Sequence, residues 1–307
     1  MKSTKKNLMV TIPTYNRSDK LNEILSSIPS DIDVVVSDNG NYTEENIKEK
    51  YKNVKFYPVS AVLDMYSNWN NALKIVDSQY FLMPGDDDLY LKDIFDDVIR
   101  YIEEYPEVDI FTFGHNIIDE KDSIINQFVP EKLQEFEAPY GFEIFKYGVE
   151  SRMPSIVFKT EFIKNLGGFD TEFQSTAADS ELIQRALLLG RAMFIPQIIA
   201  SYRVWTGGLT TQTQASDLWL KEVKHWTDKI SVVAEKKYNE IGKKFNSEKY
   251  KDEILASNIL SAANALLGQD RRACKNFMKK HGIPPHANFR TRLSLYKIFI
   301  KSYCEFS

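Results

Sequence analysis

Residues 79–88 read QYFLMPGDDD. After Gln79, four apolar or aromatic positions make a run of strand length, and Pro84-Gly85 stops it. Behind the three acids, Ile94, Phe95, Val98, Ile99 and Ile102 recur at helical spacing in a helix that the pattern starts near Leu91. The same order runs back toward the start of the chain. LMVTIP (8–13) is a buried strand, and the helix after it has Leu21, Ile24, Leu25 and Ile28 on one face, with Ser18 placed to cap it. IDVVV (32–36) ends in the turn cluster Ser37-Asp38-Asn39-Gly40, VKFYPV (54–59) is a third strand, and 62–76 reads as a helix. Strands alternating with helices predict an α/β fold with a doubly wound, mostly parallel sheet. Beyond Pro106, VDIFTF, SIVFK and FIPQIIASYRV (194–204) add strands, with helices near 160–166 and 179–190. The loop TGGLTTQTQ (206–214) ends this pattern and is read as a lid. The expected division is therefore a mixed α/β domain over 1–214, followed by an all-helical region over 215–307.

Composition narrows the function. The 307 residues are 43% hydrophobic and 27% charged with a net charge of −4, which excludes a disordered or fibrous chain. That charge is split. Residues 270–307 hold nine Lys/Arg against two acids, a net +7, leaving −11 for residues 1–269. An acidic body argues against nucleic acid as a partner. Two cysteines, 274 and 304, and four histidines without zinc-like spacing exclude a disulfide framework and a zinc site, and suggest a reducing compartment. The apolar run at the start is shorter than a signal h-region needs, and no window of 18 apolar residues occurs. A cytoplasmic location is the expectation.

In an open α/β sheet, ligands bind outside the carboxyl ends of the strands. Asp38 follows the second strand and Asp86, Asp87 and Asp88 follow the fourth, so all line one edge. In an extended segment Asp86 and Asp88 would converge and Asp87 would point elsewhere. Adjacent carboxylates suit a hard divalent cation, Mg²⁺ or Mn²⁺. The competing reading is a solvated turn whose acids cap the following helix.

IPTYNR after the first strand, SDNG after the second and PGDDD after the fourth resemble, in that order, the nucleotide-sugar half of a family 2 glycosyltransferase of the GT-A fold, of the bacterial surface-polysaccharide type. Gly167-Gly168-Phe169-Asp170, Ala178-Asp179-Ser180-Glu181-Leu182 with Arg185, and Tyr202-Arg203 are similar to its acceptor-side landmarks. The resemblance implies that Pro13, Thr14, Tyr15, Asn16 and Asp38 hold the uridine of a UDP-sugar. It makes Asp86 and Asp88 the metal-binding pair, with Asp87 beside them on the donor, and Asp179 the catalytic base of an inverting transfer. Gly168 would lie under the donor sugar. Asn68, Asn70 and Asn71 stand where relatives have ribose- or phosphate-touching residues, although at least one is expected to cap its helix. Arg203 reaches the diphosphate or pairs with an acid. Trp205, standing near a position where relatives carry a metal-ligating histidine, stacks on a sugar or belongs to the core. Glu181 is expected to be a surface or ion-pair acid. The processive signature QxxRW is absent, since 184–186 read QRA, so one sugar per acceptor is implied. The acceptor would be a glycan or lipid-linked glycan. Two other classes stay open: a sugar-phosphate nucleotidyltransferase, whose usual Gly-rich loop is missing here, and a non-catalytic sugar-nucleotide or glycan-binding module.

The basic tail, FRTRLSLYKIFIKSY (289–303), mixes apolar and basic residues without one clean stripe. It is either a terminal helix packed on its neighbours or an interfacial helix giving peripheral contact with the inner face of the membrane.

Overall fold

A computed structural model describes residues 7–205, 213 and 215–303. The chain divides into two compact units: residues 1–144, 149–174 and 186–205 form the first, and 145–148, 175–185 and 206–307 the second.

The first unit is built on one sheet of ten strands. Its nucleus is β1 (Leu8–Thr14), α1 (Ser18–Ser27), β2 (Asp33–Asn39), α2 (Glu45–Lys50), β3 (Val54–Val59), α3 (Met65–Lys74) and β4 (Tyr80–Leu82). β5 (Leu89–Tyr90), α4 (Ile94–Glu104), β6 (Ile110–Ile118), β7 (Ile124–Phe128), β8 (Gln134–Phe136), α5 (Phe142–Phe145), β9 (Ile156–Lys159), α6 (Thr160–Asn165), α7 (Ala178–Leu189) and β10 (Ala192–Arg203) follow, α7 running from the second unit into the first. The order across the sheet is β3-β2-β1-β4-β9-β6-β10-β5, with β7 beside β6 and β8 beside β10. β1 to β4 are mutually parallel, β9 is antiparallel to both of its neighbours, and β6 and β10 are again parallel to each other. The sheet is therefore mixed, as the GT-A resemblance implies.

Period-two alternation in β1 sorts the two faces. Leu8, Val10 and Ile12 join Leu21, Ile24 and Leu25 of α1 and Ile94, Phe95, Val98, Ile99 and Ile102 of α4 in one core. Thr11 points the other way and donates to the Ala72 carbonyl of α3 at 2.8 Å. Two expected caps are not formed. Ser18 opens α1 but its hydroxyl bridges the Tyr42 carbonyl and the Glu44 N–H instead. α3 is capped by Asp64, which accepts from the Ser67 N–H, so none of the three asparagines has that role.

The second unit contains α8 (Asp217–Glu240), α9 (Ser247–Gln269), α10 (Arg271–His281) and α11 (Phe289–Tyr303). The loop read at 206–214 lies, apart from Thr213, outside the described residues. Gln184, fully buried, ties this unit together: its amide donates to the Phe145 carbonyl at 2.7 Å, and its oxygen accepts from Trp226 Nε1 at 3.0 Å and the Tyr250 hydroxyl at 2.6 Å. The Tyr250 hydroxyl is held far above its ordinary range, first by burial and then by Glu181. Among the described residues no helix is long and apolar enough to cross a membrane.

Gln184→Ala removes one acceptor from two buried donors, and each unpaired donor costs about 1–3 kcal/mol. Denaturant unfolding should show a loss of about 2–4 kcal/mol; a loss under about 0.5 kcal/mol would mean that the network carries no stability.

Candidate active site

The carboxyl edge of the parallel strands collects the loop after β1, the turn at 40–43 after β2, the acids after β4 and residues 203–205 at the end of β10. They surround a cavity of about 550 Å³ lined by Asn16, Arg17, Tyr42, Asp87, Arg203 and Trp205, among others. That volume suits a small-molecule ligand.

The acids do not form an extended segment. Gly85–Asp88 is a turn, closed by the Asp88 N–H to the Gly85 carbonyl at 3.3 Å. The alternation expected for a strand therefore does not apply, and Asp87 is not turned away. Arg17 donates to Asp86 at 3.1 Å and to Asp87 at 3.0 Å, and its guanidinium lies 5.1 Å from the centroid of the Trp205 ring. The Trp205 indole N–H donates to Asp87 at 3.2 Å, so this tryptophan lines the cavity. Asp88 accepts from the Gly85 N–H at 2.8 Å and the Arg203 N–H at 3.2 Å. Nor do the acids cap a helix: β5 intervenes, pairing with Ala200 and Ser201 of β10, and α4 starts only at Ile94.

Asp86 and Asp88 are 6% and 2% exposed. Burial, then the charge of Asp87, pushes Asp86 from 3.8 up to about 6, against the pull of Arg17 and Thr14. The same two causes hold Asp88 well above the usual carboxylate range. Each of these carboxylates accepts two hydrogen bonds, about half of its capacity. Desolvated oxygen donors with spare lone pairs fit a hard divalent cation.

Arg203 is buried, and its guanidinium donates to the Asp87 carbonyl at 2.8 Å, to Glu23 at 3.1 Å and to Asp122. Of the two roles open to it, pairing with acids is the one observed. Around the β1 end, Pro13 and Thr14 close the strand and the Thr14 hydroxyl donates to Asp86 at 2.7 Å. Asn16 turns the chain with φ 53°. Tyr15 is exposed and meets Tyr42 edge to face, ring centroids 5.5 Å apart. Asp38 is fully buried and accepts from the N–H groups of Tyr42 and Thr43, which fixes the turn that carries Tyr42. Asn68 is buried behind this edge, accepting from Ser37 at 2.7 Å and donating to the Thr14 carbonyl at 3.4 Å. Asn71 donates to the same Ser37 hydroxyl at 2.8 Å. Asn70 brackets the Phe169 backbone, with bonds of 2.8 and 2.9 Å. Gly168 there has φ +69°, and a Cβ on it would lie 2.4 Å from Asn70 Oδ1, so only glycine fits.

In the second unit, Asp179 is inside the first turn of α7 rather than at its cap, half-buried, and accepts from the Ser180 N–H at 2.7 Å. The turn before it is held by Glu222 of α8, whose carboxylate takes the Ser175 N–H and hydroxyl and the Thr176 N–H. Ala177 next to it has φ 69°, a left-handed conformation that costs a non-glycine residue about 1–2 kcal/mol. Glu181 is fully buried and makes a two-pronged pair with Arg185 at 2.8 and 2.9 Å; it is an ion-pair acid and not a surface one.

The model of the family Glycosyl transferase family 2 matches residues 9–150. This segment is similar to a family 2 glycosyltransferase domain. It contains the whole β1 to β4 edge and the acidic turn. An uncharacterized glycosyltransferase of Methanocaldococcus jannaschii, MJ1057, is 30% identical over 172 residues, 51% of this chain. The chain spans 57% of that relative's length. Among solved structures, Staphylococcus aureus TarS 1–349 in complex with UDP-GlcNAc superposes with a TM-score of 0.65 at 17% identity, over 96% of this chain and 88% of that one. The mannosyltransferase PcManGT of Pyrobaculum calidifontis, in complex with GDP-Man and Mn²⁺, gives 0.50 at 14% identity, over 98% and 88%. At these identities the structures establish a shared fold around the domain.

Arg17, Tyr42 and Glu222 were not singled out by the sequence reading. Arg17 ends the IPTYNR motif and Tyr42 follows the SDNG cluster, so both had a local signal; Glu222 sits in an ordinary helical run and had none.

The raised Asp86 gives a stability test. The folded protein keeps a proton that the unfolded chain has already released, so stability falls as pH rises from about 4 to 6, and the cost is complete above that window. Asp86→Asn should therefore stabilise the protein in EDTA by about 1–3 kcal/mol at pH 8 and hardly at all at pH 4. Urea midpoints at the two pH values measure it; equal effects at both would exclude a desolvated carboxylate.

Proposed function

We propose that the chain is an inverting, metal-dependent glycosyltransferase that moves one sugar from a UDP-sugar to a hydroxyl of a glycan or lipid-linked glycan. The observation that carries this is the pair of desolvated acids, Asp86 and Asp88, on either side of Asp87, which lines a 550 Å³ cavity in the segment that matches the family 2 model. In this reading residues 1–214 are the transferase domain and 215–307 a helical appendage. The work is cytoplasmic, at the inner face of the membrane, reached by peripheral contact of the C-terminal basic helices. The UDP-GlcNAc bound by TarS supports a uridine nucleotide as donor.

Tyr15 and Tyr42 offer exposed rings for the base, and Pro13, Asn16, Asp38 and Asn68 shape the turns that present them. Asp86 and Asp88 would hold Mn²⁺ or Mg²⁺, with Asp87 beside the donor. The Mn²⁺ bound by PcManGT supports that choice. Such an ion would offset the negative charge left on the departing diphosphate. Arg17 and Trp205 line the cavity and orient the phosphates and sugar, Arg203 braces the acidic turn beside them through the Asp87 carbonyl, and the Gly168 turn approaches the sugar through backbone. Asp179 takes the proton of the acceptor hydroxyl as it attacks the anomeric carbon from the face opposite the leaving group.

A panel of UDP-sugars scored for UDP release in Mn²⁺ and in EDTA tests the reading. Asp179→Asn should lose roughly 10²- to 10⁴-fold in rate while keeping UDP affinity, and Asp88→Ala should lose activity and UDP affinity together. Full activity in either variant, or in EDTA, would refute the assignment.

A further inference from the structure

The helix α11 carries two stripes rather than one. Leu295, Ile298 and Ser302 are buried. On another side Phe289, Leu293, Tyr296, Ile300 and Tyr303 are exposed, by 76%, 40%, 48%, 61% and 44%. Their spacing alternates four and three residues, which at about 100° per residue gathers all five within about 80° of the helix surface. Scattered exposed apolar side chains are ordinary, but an aligned strip along a whole helix marks an interaction surface.

Charge indicates what it meets. Arg290, Lys297 and Lys301 flank one edge of the strip at about 80–120° from its centre. From the neighbouring α10, Lys275 and Lys279 reach its far end, their ammonium groups 3.8 and 5.5 Å from the Tyr303 ring centroid. Residues 270–303 hold nine Lys/Arg and one acid. Pairing this face with a second copy would set two such cationic borders against each other. A surface of anionic phosphates over hydrocarbon matches both components at once: the apolar strip enters the headgroup boundary and the ammonium groups meet the lipid phosphates.

We propose that the exposed face of α11, with Lys275 and Lys279 of α10, docks the protein in plane on an anionic lipid bilayer. This gives residues to the peripheral-contact part of the proposed function and rests on that part alone, not on the donor chemistry. The approach also sets the substrate class: an acceptor glycan carried on a lipid is delivered in the plane to which the enzyme is held.

Sedimentation of the full chain with vesicles of phosphatidylcholine alone, or with an equal part of phosphatidylglycerol, tests the surface. The protein should partition onto the anionic vesicles, bind the neutral ones at least about tenfold more weakly, and be released by high salt. Phe289→Ser/Ile300→Ser and Lys297→Glu/Lys301→Glu should each lose about tenfold in partitioning, with thermal midpoints, monomeric mass and UDP binding unchanged. Having two independent variants at exposed positions guards against one that folds poorly. The proposal is overturned if the chain ignores anionic vesicles, binds neutral ones equally, keeps its affinity in both variants, or is a dimer by light scattering that the serine variant dissolves. Vesicle binding without any UDP-sugar turnover would leave this surface standing and remove the transferase reading.

Discussion

The structure turns on the desolvation of two carboxylates. Asp86 and Asp88 sit at the carboxyl edge of the sheet almost out of reach of water, where an uncompensated negative charge is costly. The hydrogen-bond donors close to them answer that cost in part. Thr14 and Arg17 come from the end of β1, the Gly85 N–H from the turn itself, and the Arg203 N–H from the end of β10. The compensation is incomplete, since both acids remain shifted toward their protonated forms by burial and by Asp87. A site tuned this way holds free energy that a cation can recover, at the expense of stability when none is bound.

The fold explains why the acids can be placed there at all. β1 and β4 are adjacent and parallel, so their carboxyl ends bring Thr14 and Arg17 beside a turn that follows about 70 residues later in sequence. β5 then doubles back onto β10, and this short antiparallel contact pins the acidic turn to the backbone of Arg203. Arg203 is itself fixed by Glu23 of α1, Asp122 and the Asp87 carbonyl. The edge is thus braced from three strands. Such bracing suits a site whose groups must meet a ligand without reorganising.

Much of this was legible in the residues. Ile94, Phe95, Val98, Ile99 and Ile102 have helical spacing and all five are buried, and β1, β3 and β4 fall within a residue of their apolar runs, while β2 runs three residues past its own. These are local periodicities, which a sequence displays directly. What escaped depends on geometry that no periodicity encodes. A tight turn at 85–88 replaced the extended segment and put Asp87 beside Asp86. The asparagines of α3 serve distant backbones and hydroxyls instead of their own helix. Strands β5 and β8 are two and three residues long, and β7 exposes Ile124 and Ile125, so none has an alternating pattern to find. The tail looked unpatterned because two stripes, one buried and one exposed, were superimposed in a single helix.

The decisive question is whether the acidic turn is where a divalent cation and a nucleotide diphosphate are held together. Binding free energies are reciprocal, so a shared site requires each ligand to tighten the other by the same factor. Calorimetric titration of UDP into the protein at saturating Mn²⁺ and in EDTA, paired with Mn²⁺ titration with and without UDP, measures that factor. A shared site gives a coupling of at least about tenfold, equal in both directions. UDP binding with the same affinity in EDTA, or Mn²⁺ binding indifferent to UDP, would contradict it.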